Sequence, residues 1–292
     1  MINANKSAVL EREFAFSDLE FKHICKLIYE RAGIHLTPSK KDMVYSRLTR
    51  RLRANNISTF SDYLDIVETN SGPEREAFVN ALTTNVTAFY REAHHFEILA
   101  QHIKDLPKQR FINIWCNAAS TGQEPYTIAM TMMDLFDGVT PPVHIIATDI
   151  DTNALQKASA GVYTMEDAKN LPKDLLERHF LKGRADKTGS IKIRQELRDM
   201  VSFAPLNLLD AKWPIKGPFD AVFCRNVMIY FDKATQNNIL RRFIPMMQRD
   251  ALMFAGHSES LQGLNDVFQL RGKTVYNLTE KYQSLTGGSK NY

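Results

Sequence analysis

Residues 111–151 read FINIWCNAASTGQEPYTIAMTMMDLFDGVTPPVHIIATDID. Residues 111–116 are a short apolar run, residues 124–136 place apolar side chains at helical spacing, and residues 143–147 form a second apolar run that ends in Thr148-Asp149. Strand, helix, strand in so short a stretch is a βαβ unit, and it commits this part of the chain to a parallel sheet covered by helices.

The same pattern continues toward the C-terminus. Apolar runs at 220–224 and 251–255 read as further strands, with a helix over 233–247 between them. Residues 268–270 and 274–278 flank Arg271-Gly272-Lys273 and read as a terminal antiparallel hairpin. A doubly wound α/β sheet with an antiparallel finish is the arrangement of the class I methyltransferase fold. One segment departs from it. Residues 180–181, a polar loop over 183–189, the alternating run 190–194 and the run 200–203 suggest a small antiparallel β-subdomain inserted at about 178–204.

Upstream the pattern is helical. Ser17 and Glu20 form a capping-box pair ahead of Phe21, Ile24, Leu27 and Ile28, and Gly33 stops that helix. Pro38 opens a second helix, and residues 59–68 and 73–82 read as two more. The expected organisation is an all-helical domain over 1–84, an α/β domain over 85–284 and a disordered tail over 285–292.

The chain has 292 residues, of which 44% are hydrophobic, so it buries a real core and is not intrinsically disordered. Its net charge of +4 is unevenly placed: residues 31–53 hold seven basic residues against Asp42 alone. That segment carries +6 and the remainder −2, which points to an acidic macromolecular partner. On a helix starting near Pro38, a step of about 100° per residue puts Lys40, Arg47 and Arg51 on one face, and these three are the candidate partner-binding residues. Cys25, Cys116 and Cys224 are odd in number and widely spaced, which fits neither a disulfide framework nor metal ligation. The eight histidines show no metal-binding spacing, His94 and His95 being expected on different sides of a helix, so no metal is expected. With no apolar leader and no membrane-length apolar run, a cytoplasmic protein without direct membrane insertion is expected.

The turn over 116–125 has small residues at the carboxyl end of the first strand, where backbone can approach a ligand and the next helix offers free N–H groups. With Gly122 as its one glycine it is a poor dinucleotide fingerprint. Asp149, 27 residues beyond Gly122 and ending the second strand, can accept hydrogen bonds from both ribose hydroxyls of an adenosine cofactor. It could equally cap the following helix, as could Asp151. NAD and S-adenosylmethionine both fit, and Glu124 beside the turn tilts the balance toward a cationic cofactor.

Five motifs in order carry a family resemblance: NVTAFYRE at 85–92, AASTGQEPY at 118–126, ATDI at 147–150, CRNVMIYFD at 224–232 and GHSES at 256–260. Together they resemble a CheR-type chemotaxis receptor (protein-glutamate) O-methyltransferase, from the helical domain to about residue 282. The resemblance implies transfer of a methyl group from S-adenosyl-L-methionine to glutamate side chains of methyl-accepting chemotaxis receptors, with S-adenosyl-L-homocysteine as product. By motif position it implies cofactor contacts at Asn85, Thr87, Arg91, Glu124, Asp149, Asn207, Leu208, Arg225 and Asn226, and roles near the transferred methyl for Arg91 and Tyr230. It also implies approach of the basic helix to the receptor's acidic helical region, and in some members capture of a receptor C-terminal peptide on the β-subdomain. A cytoplasmic monomer recruited to membrane receptor arrays is expected. Two positions depart from the family pattern: Gln123 stands where glutamate is usual, and Asn117 where alanine is usual.

Two other readings compete. A basic helical domain beside a methyltransferase fold could grip nucleic acid, but the chain lacks an amino-methylation Asn/Asp-Pro-Pro-Tyr/Phe motif and its basic helix has no aromatic stacking platform. A non-catalytic S-adenosylmethionine-binding adaptor is disfavoured by retention of Arg91 and Tyr230.

Overall fold

The computed structural model describes residues 12–69, 72–107, 110–137, 139–261 and 263–286, so most of the expected disordered tail lies outside the described residues. The chain divides into two compact units, Met1–Thr83 and Thr84–Tyr292.

The first unit is all helical: α1 (Asp18–Ala32), α2 (Lys41–Ala54) after a single 3₁₀ turn at Pro38–Lys40, α3 (Phe60–Thr69) and α4 (Pro73–Leu82). The capping box at Ser17 forms in both directions, with Glu20 N donating to Ser17 Oγ at 3.1 Å and Ser17 N donating to Glu20 Oε2 at 2.7 Å. Gly33 ends α1 in the left-handed region at φ 69°, its N–H donating to the Tyr29 carbonyl. Ile24, Ile28, Leu48, Phe60, Tyr63 and Phe78 meet in a fully buried centre.

The basic segment is arranged differently from the expected solvent-facing stripe. Arg51 forks onto Glu74 (Nε to Oε1 2.9 Å), which also accepts the Tyr63 hydroxyl at 2.9 Å. Arg47 donates to the carbonyls of Ala81 and Thr83 at the end of α4. Lys41 pairs with Asp18, and Arg53 with Glu13. Four of the seven cations thus have partners in their own unit: Arg47 serves a helix terminus, Arg51 serves Glu74 and the buried Tyr63, and Lys41 and Arg53 form surface ion pairs. Lys40 and Arg50 remain exposed.

The second unit contains α5 (His94–Asp105), β1 (Ile112–Cys116), α6 (Gln123–Leu135), β2 (Val143–Asp149), α7 (Thr152–Ala160), β3 (Val162–Thr164), α8 (Lys173–His179), β4 (Phe180–Lys182) and β5 (Ser190–Ile193). It continues through α9 (Gln195–Arg198), β6 (Val201–Pro205), β7 (Phe219–Cys224), α10 (Lys233–Phe243), β8 (Met247–Ala255), β9 (Phe268–Gly272), β10 (Val275–Leu278) and α11 (Glu280–Thr286). Seven strands form one sheet in the order β6-β2-β1-β7-β8-β10-β9, parallel from β6 to β8 and closed by the antiparallel β10 and β9. This is the class I methyltransferase arrangement. Both faces are covered: Ile114, Cys116, Ala221 and Phe223 enter one core, and Trp115, Val222 and Cys224 enter the other.

The sheet corrects one expectation. Residues 200–203 do not belong to the inserted sheet, since β6 pairs in parallel with β2, from Ile145 opposite Val201 to Asp149 opposite Pro205. The small sheet is instead β3-β5-β4, antiparallel throughout, with β3 as the strand that local alternation did not reveal. The helix expected over 233–247 stops at Phe243, and Met247 already begins β8.

Arg51→Ala leaves the mostly buried Glu74 carboxylate and the Tyr63 hydroxyl without their cation. It should lower the stability of the helical unit by about 2 kcal/mol in urea denaturation, whereas Lys40→Ala should change it by less than about 0.5 kcal/mol.

Candidate active site

The chain runs from β1 outward through β2 to β6 and then crosses to β7 on the other side of β1, so strand order reverses between β1 and β7. In such sheets the crevice beyond the carboxyl ends of the strands at that reversal is the ligand site. The loops after β1, β2, β6, β7 and β8 open there, and four of the five sequence motifs lie on them.

The turn after β1 is held from several directions. Ala119 N donates to the Thr148 carbonyl at 2.9 Å, and Tyr163 of β3 donates its hydroxyl to the Thr121 carbonyl at 2.8 Å. Gly122 has φ 97°, and a Cβ there would meet the Tyr163 hydroxyl at 2.7 Å and the Ala158 methyl at 2.9 Å, so only glycine fits. Asp149 is buried at the end of β2, with Oδ2 accepting from Ser120 N at 2.7 Å and Oδ1 from Asp151 N at 2.9 Å. Burial pushes its carboxyl up to about 6, against the pull of these N–H groups. Asp151 is the residue that caps α7, accepting from Asn153 N and Ala154 N. Asn85 ties this turn together, donating to Asp151 Oδ2 at 2.6 Å and accepting from Ser120 Oγ at 3.3 Å.

Arg225 is the other anchor. It is 3% exposed, and its Nη1 pairs with Glu124 Oε2 at 2.6 Å. Its Nη2 donates to the Arg91 carbonyl and lies 3.4 Å from Glu92 Oε2. Its guanidinium also sits 5.6 Å from the Phe96 ring centroid. Arg225, implied by the resemblance as a cofactor contact, is a buried clamp joining the end of β7, α6 and the 91–92 segment. Glu124 is correspondingly committed, with Arg225 on one oxygen and the Cys116 thiol donating to the other at 3.2 Å. Burial pushes its carboxyl up despite Arg225. Its charge is compensated within the protein, so the preference for a cationic cofactor that its position suggested does not rest on Glu124 alone.

Arg91 is half-buried between two residues in the left-handed region, Tyr90 at φ 53° and Glu92 at φ 57°, and its Nη1 donates to the Val86 carbonyl at 2.8 Å. Thr87 is half-buried in the same segment. Tyr230 is half-buried in a 3₁₀ turn over Met228–Tyr230, which begins two residues after Asn226 at φ 58°. Asn207, beside the end of β2, accepts from Leu209 N at 3.0 Å in an Asx turn, and Leu208 is buried against the Trp115 face of the sheet. Asn117 is 2% exposed, and its buried amide has only the weak thiol of Cys224 as a partner. The small residue usual at this position would leave no such weakly satisfied amide.

Two residues escaped the sequence reading. Glu259, 5% exposed, accepts from Asn226 N at 2.8 Å, Met228 N at 2.8 Å and Gly256 N at 2.6 Å, and thereby sets the loop that carries Tyr230. A Cβ on Gly256 would meet Asn226 Nδ2 at 2.5 Å and Glu259 Oε2 at 2.8 Å. The acid in the Gly256-His-Ser-Glu-Ser stretch was the available signal. Tyr163 gave none, since its strand is visible only once β5 is paired with it.

The comparisons with known proteins agree along most of the chain. The CheR methyltransferase, SAM binding domain profile matches residues 85–277, and the CheR methyltransferase, all-alpha domain profile matches residues 19–83. The chain belongs to the CheR methyltransferase family. It is 50% identical over 275 residues to a chemotaxis protein methyltransferase of Klebsiella aerogenes, covering 94% of each chain. To that of Escherichia coli it is 49% identical over 272 residues, covering 93% of this chain and 94% of the relative. To chemotaxis protein methyltransferase 2 of Pseudomonas aeruginosa it is 44% identical over 266 residues, covering 91% and 95%. Like other members of the CheR family, it is a methyltransferase dependent on S-adenosylmethionine, which resolves the cofactor alternatives and sets aside the adaptor reading. The crevice fits that cofactor: backbone N–H groups of Ser120, Ile150 and Asp151 take only part of the acceptor capacity of the Asp149 carboxylate, leaving lone pairs for ribose hydroxyls.

Glu259→Gln puts an amide NH₂ among three backbone donors. Stability should fall by about 2 kcal/mol, with affinity for S-adenosylhomocysteine lowered about tenfold in calorimetric titration.

Proposed function

We propose that this enzyme methylates the side-chain carboxylates of specific glutamates on bacterial chemoreceptors, forming glutamyl methyl esters, with Arg91 and Tyr230 at the reacting groups. S-adenosylmethionine supplies an electrophilic methyl group on a sulfonium. A glutamate oxygen is already anionic at neutral pH, so the displacement needs alignment and partial desolvation more than a strong general base. The observation that carries the reading is the fixing of Arg91: Arg225 holds its carbonyl, and left-handed residues flank it on both sides. A cation on so constrained a backbone orients a carboxylate without depending on loop order. Tyr230, on the turn set by Glu259, offers a hydroxyl to the same substrate or to the sulfonium methyl. The cofactor would be held by Asn85, Thr87, Arg91, Asp149, Asn207, Leu208 and Asn226, with Glu124 and Arg225 acting as the clamp beneath.

The receptor's acidic helical region is the proposed partner of the first unit, met by exposed Lys40 and Arg50, while Arg47 and Arg51 position the helix from within. The β-subdomain offers a second contact. Its strands β3 and β4 are sheet edges carrying the exposed Val162 and Leu181, which suits addition of a receptor tail peptide as a further strand. Among the described residues no helix is long and apolar enough to cross a membrane. A cytoplasmic monomer brought to receptor arrays by these contacts completes the proposal.

With labelled S-adenosylmethionine and receptor-containing membranes, counts should appear on protein and be released by base as methanol. Arg91→Ala should lower turnover about 100-fold and Tyr230→Phe about tenfold, with cofactor affinity changed less. Base-stable counts, or full turnover in both variants, would overturn the assignment. The Asp149 carboxyl, raised to about 6 by burial, offers both oxygens as acceptors to a pair of hydroxyls only when ionised. Affinity for S-adenosylhomocysteine should therefore be flat above pH 7 and fall about tenfold per unit below pH 6, and Asp149→Asn should bind weakly with that pH dependence removed.

A further inference from the structure

The start of α5 holds a second cluster that methyl transfer does not use. Glu92, His94 and His95 place one ligand atom each within 4.8 Å of one another, and the two imidazole rings have centroids 4.3 Å apart. The expectation that these neighbouring histidines face different sides fails because α5 begins at His94, two residues after the left-handed Glu92 and one after its N-cap Ala93, so ligand atoms of both rings lie near the same carboxylate.

His95 is fully buried, and its Nε2 lies 2.8 Å from the Lys273 carbonyl and 3.2 Å from Thr274 Oγ1. A carbonyl can only accept, so Nε2 carries the proton and Nδ1 of the neutral ring presents a lone pair. That lone pair faces Glu92 Oε2 at 3.6 Å. Both atoms are buried and neither has a hydrogen-bond partner, although the Arg225 guanidinium lies 3.4 Å from Glu92 Oε2 as an ion pair. Two lone pairs facing each other across such a gap repel unless a cation lies between them. The other Glu92 oxygen is held by His257, with Nδ1 at 3.0 Å and backbone N at 3.3 Å, which fixes Oε2 toward His95.

We propose that Glu92 Oε2, His95 Nδ1 and a ring nitrogen of His94 form a binding site for a first-row divalent transition metal ion. Ligand atoms around a tetrahedral zinc ion stand about 3.3 Å apart at bonds of about 2.0 Å, so the Glu92–His95 pair is nearly at that spacing and a rotation of the half-exposed His94 closes the third side. Two imidazoles and one carboxylate are a donor set for zinc, nickel or ferrous iron. The supporting contacts are those a metal-ligating histidine ordinarily has, an N–H donated to a backbone carbonyl. That carbonyl sits in a strained hairpin, with Lys273 at φ 49° and Thr274 at φ 56°. Arg225 near Glu92 does not preclude a cation, because Glu124 balances its charge. An ion there would join the 91–95 segment to the β9–β10 turn and stiffen the backbone next to Arg91.

The test uses the full chain without a polyhistidine tag, stripped of metal, with zinc as the probe in competition with a chromogenic chelator. One equivalent should bind at about micromolar concentration or tighter and raise the melting temperature. His94→Ala should weaken binding about tenfold or more and leave methyl transfer in metal-free buffer unchanged, and His144→Ala, on β2, should bind as the parent does. Cobalt(II) should give a ligand-field absorption band that His94→Ala abolishes. Absence of stoichiometric binding, or equal affinity in His94→Ala, would overturn the site.

Discussion

The buried guanidinium of Arg225 is the constraint on which the catalytic unit depends. Taking an arginine out of water is expensive, and the cost is recovered only when charges and hydrogen bonds meet it on several sides. Glu124, Glu92, the Arg91 carbonyl and the Phe96 ring do so from three separate elements. The same set that solvates the cation therefore fixes α6 behind the cofactor turn, the approach to α5 and the end of β7. Loss of one partner from such a set costs about 3–5 kcal/mol, which makes these elements cooperative.

Much of the architecture was legible because it is written in local periods. The βαβ unit at 111–151, the capping box at Ser17 and the terminal hairpin each declare themselves within one window of sequence. What failed was non-local. Residues 201–205 alternate in a way that suits a small antiparallel sheet, yet their partner is β2, more than 50 residues earlier. The periodicity reports which face is buried and not against what. β3 has three residues, two of them exposed, and leaves almost no pattern of its own.

The charge reading changed for a related reason. Seven cations in one segment suggested a surface, but a count of charges does not show which of them have internal partners. Arg51 and Arg47 serve a buried carboxylate and a helix C-terminus, duties visible only when α2 is packed against α4. Lys40, just before α2, and Arg50, within it, are the exposed cations of the segment with no internal ion pair among the described residues.

The backbone around the site is also held in an uncommon conformation at four positions. Ser120, Tyr90, Glu92 and Asn226 are non-glycine residues with φ between 50° and 58°, and all four lie in the motif segments. Each such residue costs of order 1 kcal/mol and persists only where its surroundings overdetermine it. Here those surroundings can be named. Asp149 holds the Ser120 N–H, Glu259 holds that of Asn226, and Arg225 with His257 holds the Arg91–Glu92 peptide and carboxylate. Two buried acids, Asp149 and Glu259, and the buried Arg225 thus fix the backbone at the carboxyl edge of the sheet. A reaction that depends on in-line alignment of oxygen, carbon and sulfur gains most from such rigidity, since misplacement of about 1 Å costs about 100-fold in rate.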